Sequence, residues 1–261
     1  MADRERILRY YKGTEGEETA IRLVDLAEQA AKSRKFRLSE FLDPYGQEIA
    51  ETVAANYDGL ELSFSGGYEG AERQRAMLCH EDFRGRPSFE IAAVKASWDS
   101  EHYRLSHRDV LGALLGLGIE RGALGDLLVE AGAAHILADK KMAQFLLTDF
   151  VQAGAAKASC EEEELSALRP REERTKEIRA TVASLRVDSI AAAGFGFSRS
   201  RAATDIAADK LKLNWQTVRN ASQLVKEGDV LSMRGRGRLE VAEVRGQTKK
   251  GRVGVLLRRY Y

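Results

Sequence analysis

Cysteine is scarce in this chain. Cys79 and Cys160 are the only two, far apart and outside any Cys-x-x-Cys spacing, which argues against a disulfide framework and against a structural zinc. Proline is scarce as well, with 3 residues in 261. No apolar run approaches the ~18 residues that a membrane-spanning helix needs, and Met1–Tyr11 is charged rather than signal-like. An excess of one charge is also missing, since 41 basic and 40 acidic side chains leave +1. What remains, 44% hydrophobic and 31% charged residues, is the composition of a folded, soluble protein long enough for two or three domains. The expected compartment is the cytoplasm, with no membrane partner.

The near-neutral total hides a division. Residues 181–261 carry 16 basic and 7 acidic side chains, whereas residues 1–180 carry 25 and 33. A basic C-terminal part joined to an acidic body points to one region that meets a polyanion.

The pattern along the chain predicts an α+β protein. Ala20, Leu23, Val24, Ala27 and Ala31 recur at helical spacing, Asp43-Pro44 opens a second helix, and Leu60–Phe64 alternates as a strand. Residues 1–75 therefore read as a mainly helical N-terminal domain. Residues 76–165 read as strand Phe89–Ser97, a helix opened by Ser106 with Asp109 as its capping-box partner, strands Leu124–Glu130 and Ala133–Ala138, a helix over Met142–Phe150, and strand Ala155–Cys160. The order βαββαβ predicts a ferredoxin-like sandwich, the topology of RNA-recognition-motif domains. Its third strand, however, holds no Phe or Tyr on which a base could stack; His135 is the one polar candidate there. Residues 166–181, acidic just before and highly charged from Pro170 to Arg179, read as a linker carrying a connecting helix.

Residues 182–261 are more specific. A short helix begins in Ser184–Asp188, Gly194-Phe-Gly-Phe breaks it, and Ser198 caps a second helix with Ala202, Ala203, Ile206 and Ala207 inward. Leu211–Leu213 is a strand, Asn214-Trp215 a tight turn, and Gly228-Asp-Val-Leu231 leads into another strand. Leu239–Val244 and Val253–Arg258 follow the basic Arg234-Gly-Arg-Gly-Arg238.

Leu185-Arg-Val-Asp188, Ser198-Arg-Ser-Arg-Ala202, Lys212-Leu-Asn214 and Gly228-Asp-Val-Leu231 together resemble the S-four RNA-binding domain, over about a third of the chain. That domain usually has Gly after the Asn of the turn, where a positive φ is convenient; here Trp215 stands. Farther upstream, Gly66-Gly-Tyr68, Ala71-Glu-Arg73, His107-Arg-Asp-Val-Leu-Gly112, Leu117-Gly-Ile119 and Gly125-Asp126 resemble the YlmH family. The likeness spans nearly the whole chain. It implies a bacterial RNA-binding protein of ribosome-associated quality control, acting on large subunits obstructed by peptidyl-tRNA. The implied partners are large-subunit ribosomal RNA and tRNA or peptidyl-tRNA, bound by a monomer.

The chemistry of RNA binding also reads from the residues. Ser198, Arg199, Ser200 and Arg201 occupy a helix N-terminus, where free N–H groups and the helix dipole favour phosphate, and guanidinium forks engage phosphate oxygens two at a time. Arg186, Lys212, Asn214, Arg234, Arg236 and Arg238 extend the candidate surface. Asp188 is expected to orient an arginine rather than to touch RNA. Gly194-Phe-Gly196 is no dinucleotide loop, because Arg199 stands where a third Gly belongs. Cys79-His-Glu-Asp82 groups reactive side chains with no second ligand pair at zinc spacing. No cofactor, metal or catalytic residue is expected. The alternatives are an RNA-modifying enzyme, either a pseudouridine synthase or a methyltransferase, and a protein-interaction adaptor. A synthase would need a catalytic Asp in a large domain of its own, and a methyltransferase a Gly-rich loop after a parallel strand.

Overall fold

The computed structural model describes residues 4–169, 174–248 and 251–260. The chain divides into two compact units, Met1–Arg171 and Glu172–Tyr261. Among the described residues no helix is long and apolar enough to cross a membrane.

The first unit opens with helices α1 (Arg4–Tyr11) and α2 (Glu17–Ser33). Ala20, Leu23, Val24, Ala27 and Ala30 form the buried stripe of α2, as its helical period requires. Strand β1 (Phe36–Leu42) follows, then helix α3 (Pro44–Ala54), whose start is fixed by Asp43 accepting from Gly46 N at 2.9 Å and by Pro44 in the first turn. Strands β2 (Leu60–Ser65) and β3 (Gln74–His80) complete an antiparallel sheet of order β1-β3-β2. Three helices dominate residues 1–75, and the sheet adds β1 and β3 to the one strand expected there. The division at residues 75 and 76 is corrected, because it cuts β3 (Gln74–His80), the middle strand. Arg75 explains why β3 is hard to see. Its charged side chain is buried and donates to the carbonyls of Ser39, Phe89 and Glu90, so no plain alternation marks the strand.

The next segment is β4 (Ile91–Ser97), α4 (His107–Gly116), β5 (Leu124–Glu130), β6 (Ala133–Asp139), α5 (Ala143–Asp149), a small hairpin β7 (Gln152–Ala153) and β8 (Ala156–Lys157), and β9 (Ser159–Glu163). The capping box at Ser106 is formed, with Ser106 N donating to Asp109 Oδ2 at 2.8 Å. The sheet order β5-β6-β4-β9 is the antiparallel arrangement of a ferredoxin-like sandwich. Val94, Val110, Leu114, Ile136, Leu146 and Phe150 fill its core. Its last strand begins four residues later than the expected Ala155–Cys160 and runs into the acidic stretch. Asp126 ties this sandwich to the N-terminal sheet. It accepts from Tyr68 OH (2.8 Å), Glu72 N (2.7 Å) and Arg73 N (3.1 Å), while the Arg73 guanidinium donates to the carbonyls of Leu124 and Phe41. Gly66–Arg73 and Gly125-Asp126, distant in sequence, thus form one junction.

The second unit has its own core around Val187, Ile190, Phe195, Ile206, Leu231, Leu239, Val241 and Leu257. Strand β10 (Thr175–Val182) leads into α6 (Val187–Phe195) and α7 (Arg199–Ala207), followed by β11 (Leu211–Leu213), β12 (Gln216–Thr217), β13 (Val230–Met233), β14 (Gly237–Gln247) and β15 (Val253–Tyr260). The six strands form one sheet, β10-β15-β14-β13-β11-β12. Here the connecting helix expected over 166–181 is corrected: Leu165–Ala167 is a single 3-10 turn, residues 170–173 lie outside the described residues, and β10 pairs antiparallel along β15 from Thr175↔Tyr260 to Val182↔Val253. Ile178, Ala180 and Val182 alternate inward along it. At Asn214 and Trp215, φ is +47° and +63°, the pairing of signs that a two-residue hairpin demands. A left-handed conformation costs a residue with a Cβ roughly 1–2 kcal/mol, so Trp215 occupies a position where glycine would be relaxed.

Candidate nucleic-acid interface

Helix α6 begins at Arg186, which occupies the N-cap rather than the helix itself. The first two helical N–H groups donate to the carbonyls of Gln223 (2.8 Å) and Ala221 (3.3 Å), leaving the Arg186 side chain for another task. It folds onto Asp188, with Nε to Oδ1 at 3.2 Å and Nη2 to Oδ2 at 2.9 Å. Arg199, from the next helix, donates Nη2 to the same Oδ2 at 3.0 Å, and Ser189 Oγ donates to Oδ1 at 3.1 Å. Asp188 is buried. Burial alone would raise its pKa, but the hydrogen bonds from Arg186, Arg199 and Ser189 outweigh it and hold the group at about 2. A permanent carboxylate therefore sits beneath two guanidinium groups, and the Arg199 side chain remains 53% exposed.

The arrangement is repeated one turn along α7. Buried Asp205 accepts from Arg201 Nε at 2.9 Å and from Lys210 Nζ at 3.0 Å. These two hydrogen bonds, Arg201 first, keep its carboxyl below the usual range. Two buried anions thus hold four cations in place, which leaves a positive surface whose side chains have little freedom left to lose on binding. Ser198 Oγ accepts from Arg201 N at 3.2 Å and shares a hydrogen bond with Ser200 Oγ at 2.9 Å. Ser198 caps α7 as expected. Of the expected inner stripe, Ala202 and Ile206 are buried with Asp205, whereas Ala207 is exposed.

Arg234, Arg236 and Arg238 lie in and beside the turn that joins β13 to β14, where Met233 pairs with Gly237. Gly237 has φ +87°, where a Cβ would meet the Tyr260 carbonyl at 3.0 Å, and Gly235 has φ +77°, so the backbone favours the two glycines between the arginines. The Arg236 guanidinium lies over the Phe197 ring, 5.1 Å from its centroid. Phe197 stacks on Phe195, their planes 6° apart, and Arg259 lies over Phe195 at 5.5 Å. Arg238 lies over Trp215, also at 5.5 Å. Because Phe197 directly precedes the cap Ser198, it brings the hairpin's Arg236 beside the start of α7. The arginines are visible in the sequence; their aromatic partners are not, since Phe195 and Phe197 read there only as part of the Gly194-Phe-Gly-Phe helix break. Lys212 is exposed on β11. The Asn214 amide serves the fold at both ends: Nδ2 donates to buried Asp229 at 3.0 Å, and Oδ1 accepts from Val230 N at 2.9 Å.

The open face of the ferredoxin-like sheet is different. His135 Nδ1 contacts Glu163 at 2.6 Å, with Glu130 3.6 Å from Nε2, and Lys95 lies 3.7 Å from Glu161. Ala93 and Leu137 of the same face are covered by Leu165 and Leu168. Among the described residues this face is acidic and partly covered, unlike the aromatic platform on which RNA-reading sheets stack bases.

Three families match along the chain. Residues 15–83 match "YlmH, N-terminal", residues 86–167 match "Putative RNA-binding domain in YlmH", and residues 185–231 match the S4 domain. The curated Ribosome-associated protein quality control protein P2 of Bacillus subtilis (strain 168) is 35% identical over 226 residues, which cover 86% of this chain and 88% of the relative. The solved structure of the cell division protein ylmH from Streptococcus pneumoniae superposes with a TM-score of 0.50 at 25% identity, over 58% of this chain and 93% of that one. With its family segments in order and its arginine surface on the S4-matching unit, the chain belongs to the YlmH family of RNA-binding proteins.

Proposed function

We propose that this protein is a non-catalytic cytoplasmic factor that binds large-subunit ribosomal RNA and stabilises peptidyl-tRNA on obstructed large subunits. The observation that carries the reading is the arginine surface of the second unit: Arg186, Arg199 and Arg201 held by buried Asp188 and Asp205, with the aromatic-backed Arg236 and Arg238 alongside. Such a surface suits phosphate backbones and A-form shape rather than base sequence. The printed name of the Bacillus subtilis relative, a ribosome-associated quality control protein, supports the setting. The absence of a catalytic role is supported by the candidate nucleophiles. Burial pushes the Cys160 thiol up to about 11 and raises that of Cys79, and both are poor thiolate sources at neutral pH. Asp188, the nearest counterpart of a synthase aspartate, is bound by two arginines.

The test is sucrose-gradient co-sedimentation with intact ribosomes, free large subunits and large subunits carrying peptidyl-tRNA. Preference for the last is expected. Equal binding to all three would reduce the function to general RNA affinity, and binding to small subunits alone would defeat it. Mass spectrometry of ribosomal RNA incubated with the protein, with and without a methyl donor, should show no modified nucleotide; one stoichiometric pseudouridine or methyl group would make it an enzyme.

A further inference from the structure

We infer that Trp215 is a positioning residue for RNA binding that acts through Arg238, an inference that rests on the RNA-binding reading of this surface. The turn itself has no need of an indole. Leu213 pairs with Gln216 across two central residues that both carry positive φ, and glycine meets that demand without strain. Asn214 already anchors the turn, through its side chain to Asp229 and Val230 N and through its own N–H to the Val230 carbonyl at 2.9 Å. A bulky side chain kept in a left-handed conformation signals a task other than making the turn.

That task is visible in what the ring faces. The half-buried indole lies against the Arg238 guanidinium, 5.5 Å from centroid to Cζ. An arginine over an aromatic face engages a phosphate through its planar N–H fork with part of its rotamer freedom surrendered before the phosphate arrives. The same device recurs at Arg236, which lies over Phe197, itself stacked on Phe195. Two of the three hairpin arginines are thus held by rings that come from other parts of the unit, and Trp215 is the one held at a conformational cost.

The experiment uses the full-length chain and a fluorescein-labelled RNA stem–loop, with affinity read by anisotropy at low salt and stability by thermal unfolding. The variants are Trp215→Gly, Trp215→Tyr, Arg238→Ala and the Trp215→Gly/Arg238→Ala pair, with Arg199→Ala/Arg201→Ala as reference. Trp215→Gly relieves the backbone, so its Tm should stay the same or rise while affinity falls about three- to tenfold. Trp215→Tyr should recover most of that loss, and the pair should bind no more weakly than Arg238→Ala alone. Three results would overturn the inference: an affinity loss accompanied by a lower Tm, losses that multiply in the pair, or no loss with Trp215→Gly while the reference variant binds poorly. If neither the reference variant nor Arg238→Ala binds more weakly than the wild type, the RNA-binding reading of the surface itself fails.

Discussion

Asp188 accepts hydrogen bonds from Arg186, Arg199 and Ser189, and its protonation is therefore coupled to the fold of the second unit. Its folded pKa of about 2 lies below the ordinary 3.8. The stability it contributes is fully present above about pH 4 and is lost as the pH falls through about 2. The magnitude is roughly 2 kcal/mol. Urea unfolding of the wild type should weaken across that window, and Asp188→Asn should be destabilised at neutral pH and flatter between pH 4 and 2. A wild-type curve flat across that range would show that the arginines do not bind the carboxylate in solution. Arg199 and Arg201 carry the complementary prediction. Both are more than half exposed, so Arg199→Ala/Arg201→Ala should leave the unit folded while each lost phosphate contact weakens RNA binding by on the order of 1–3 kcal/mol. Unchanged affinity in the folded double variant would move the interface to the Arg234–Arg238 hairpin.

At the scale of elements, β10 decides where the second unit begins. Its eight residues pair along the whole of β15 and contribute Val182 to the core. A fragment from residue 174 should fold as a monomer, whereas one from residue 183 would expose the β15 edge and lose that contact, favouring aggregation. Light scattering and thermal unfolding of the two fragments test this; equal behaviour would make β10 dispensable. The strand also shows why part of the architecture was hidden in the sequence. Thr175–Val182 lies within a charged run, and only Ile178, Ala180 and Val182 hint at a period of two, because β10 is an edge strand whose other face is exposed. The sandwich was legible because Val110 and Leu114 on α4, and the apolar strands β4 and β6, follow their periods closely. Likewise, a cap and two arginines within four residues mark the start of α7. The carboxylates beneath those arginines and the rings behind Arg236 and Arg238 were not legible as partners. Their pairing depends on contacts such as Arg199 with Asp188, 11 residues apart, and Arg238 with Trp215, which belong to the packed unit rather than to any local pattern.

For the whole molecule the governing quantity is the division of charge. Residues 174–261 carry 19 basic and 8 acidic side chains, and residues 1–173 carry 22 and 32. RNA binding dominated by phosphate contacts should fall steeply with salt. About four to six neutralised phosphates give a log–log slope of around −3 to −5, and that slope should reside in the second unit. The acidic remainder acts in the opposite sense. Its net negative charge is repelled by any polyanion within roughly a Debye length, ~10 Å at 0.1 M salt, so it lowers affinity for arbitrary RNA and leaves binding dependent on a site with compensating contacts. The fragment 174–261 should therefore bind an unrelated RNA duplex more tightly than the full chain does, and the gap should narrow as salt screens the repulsion. On the proposed target, large subunits carrying peptidyl-tRNA, the order is expected to reverse or level, as it would if the first unit makes contacts there that the fragment lacks. Competition binding of both proteins to both targets, across a salt series, tests this. Should the full chain bind the unrelated duplex as tightly as the fragment at low salt, the acidic body has no selective role.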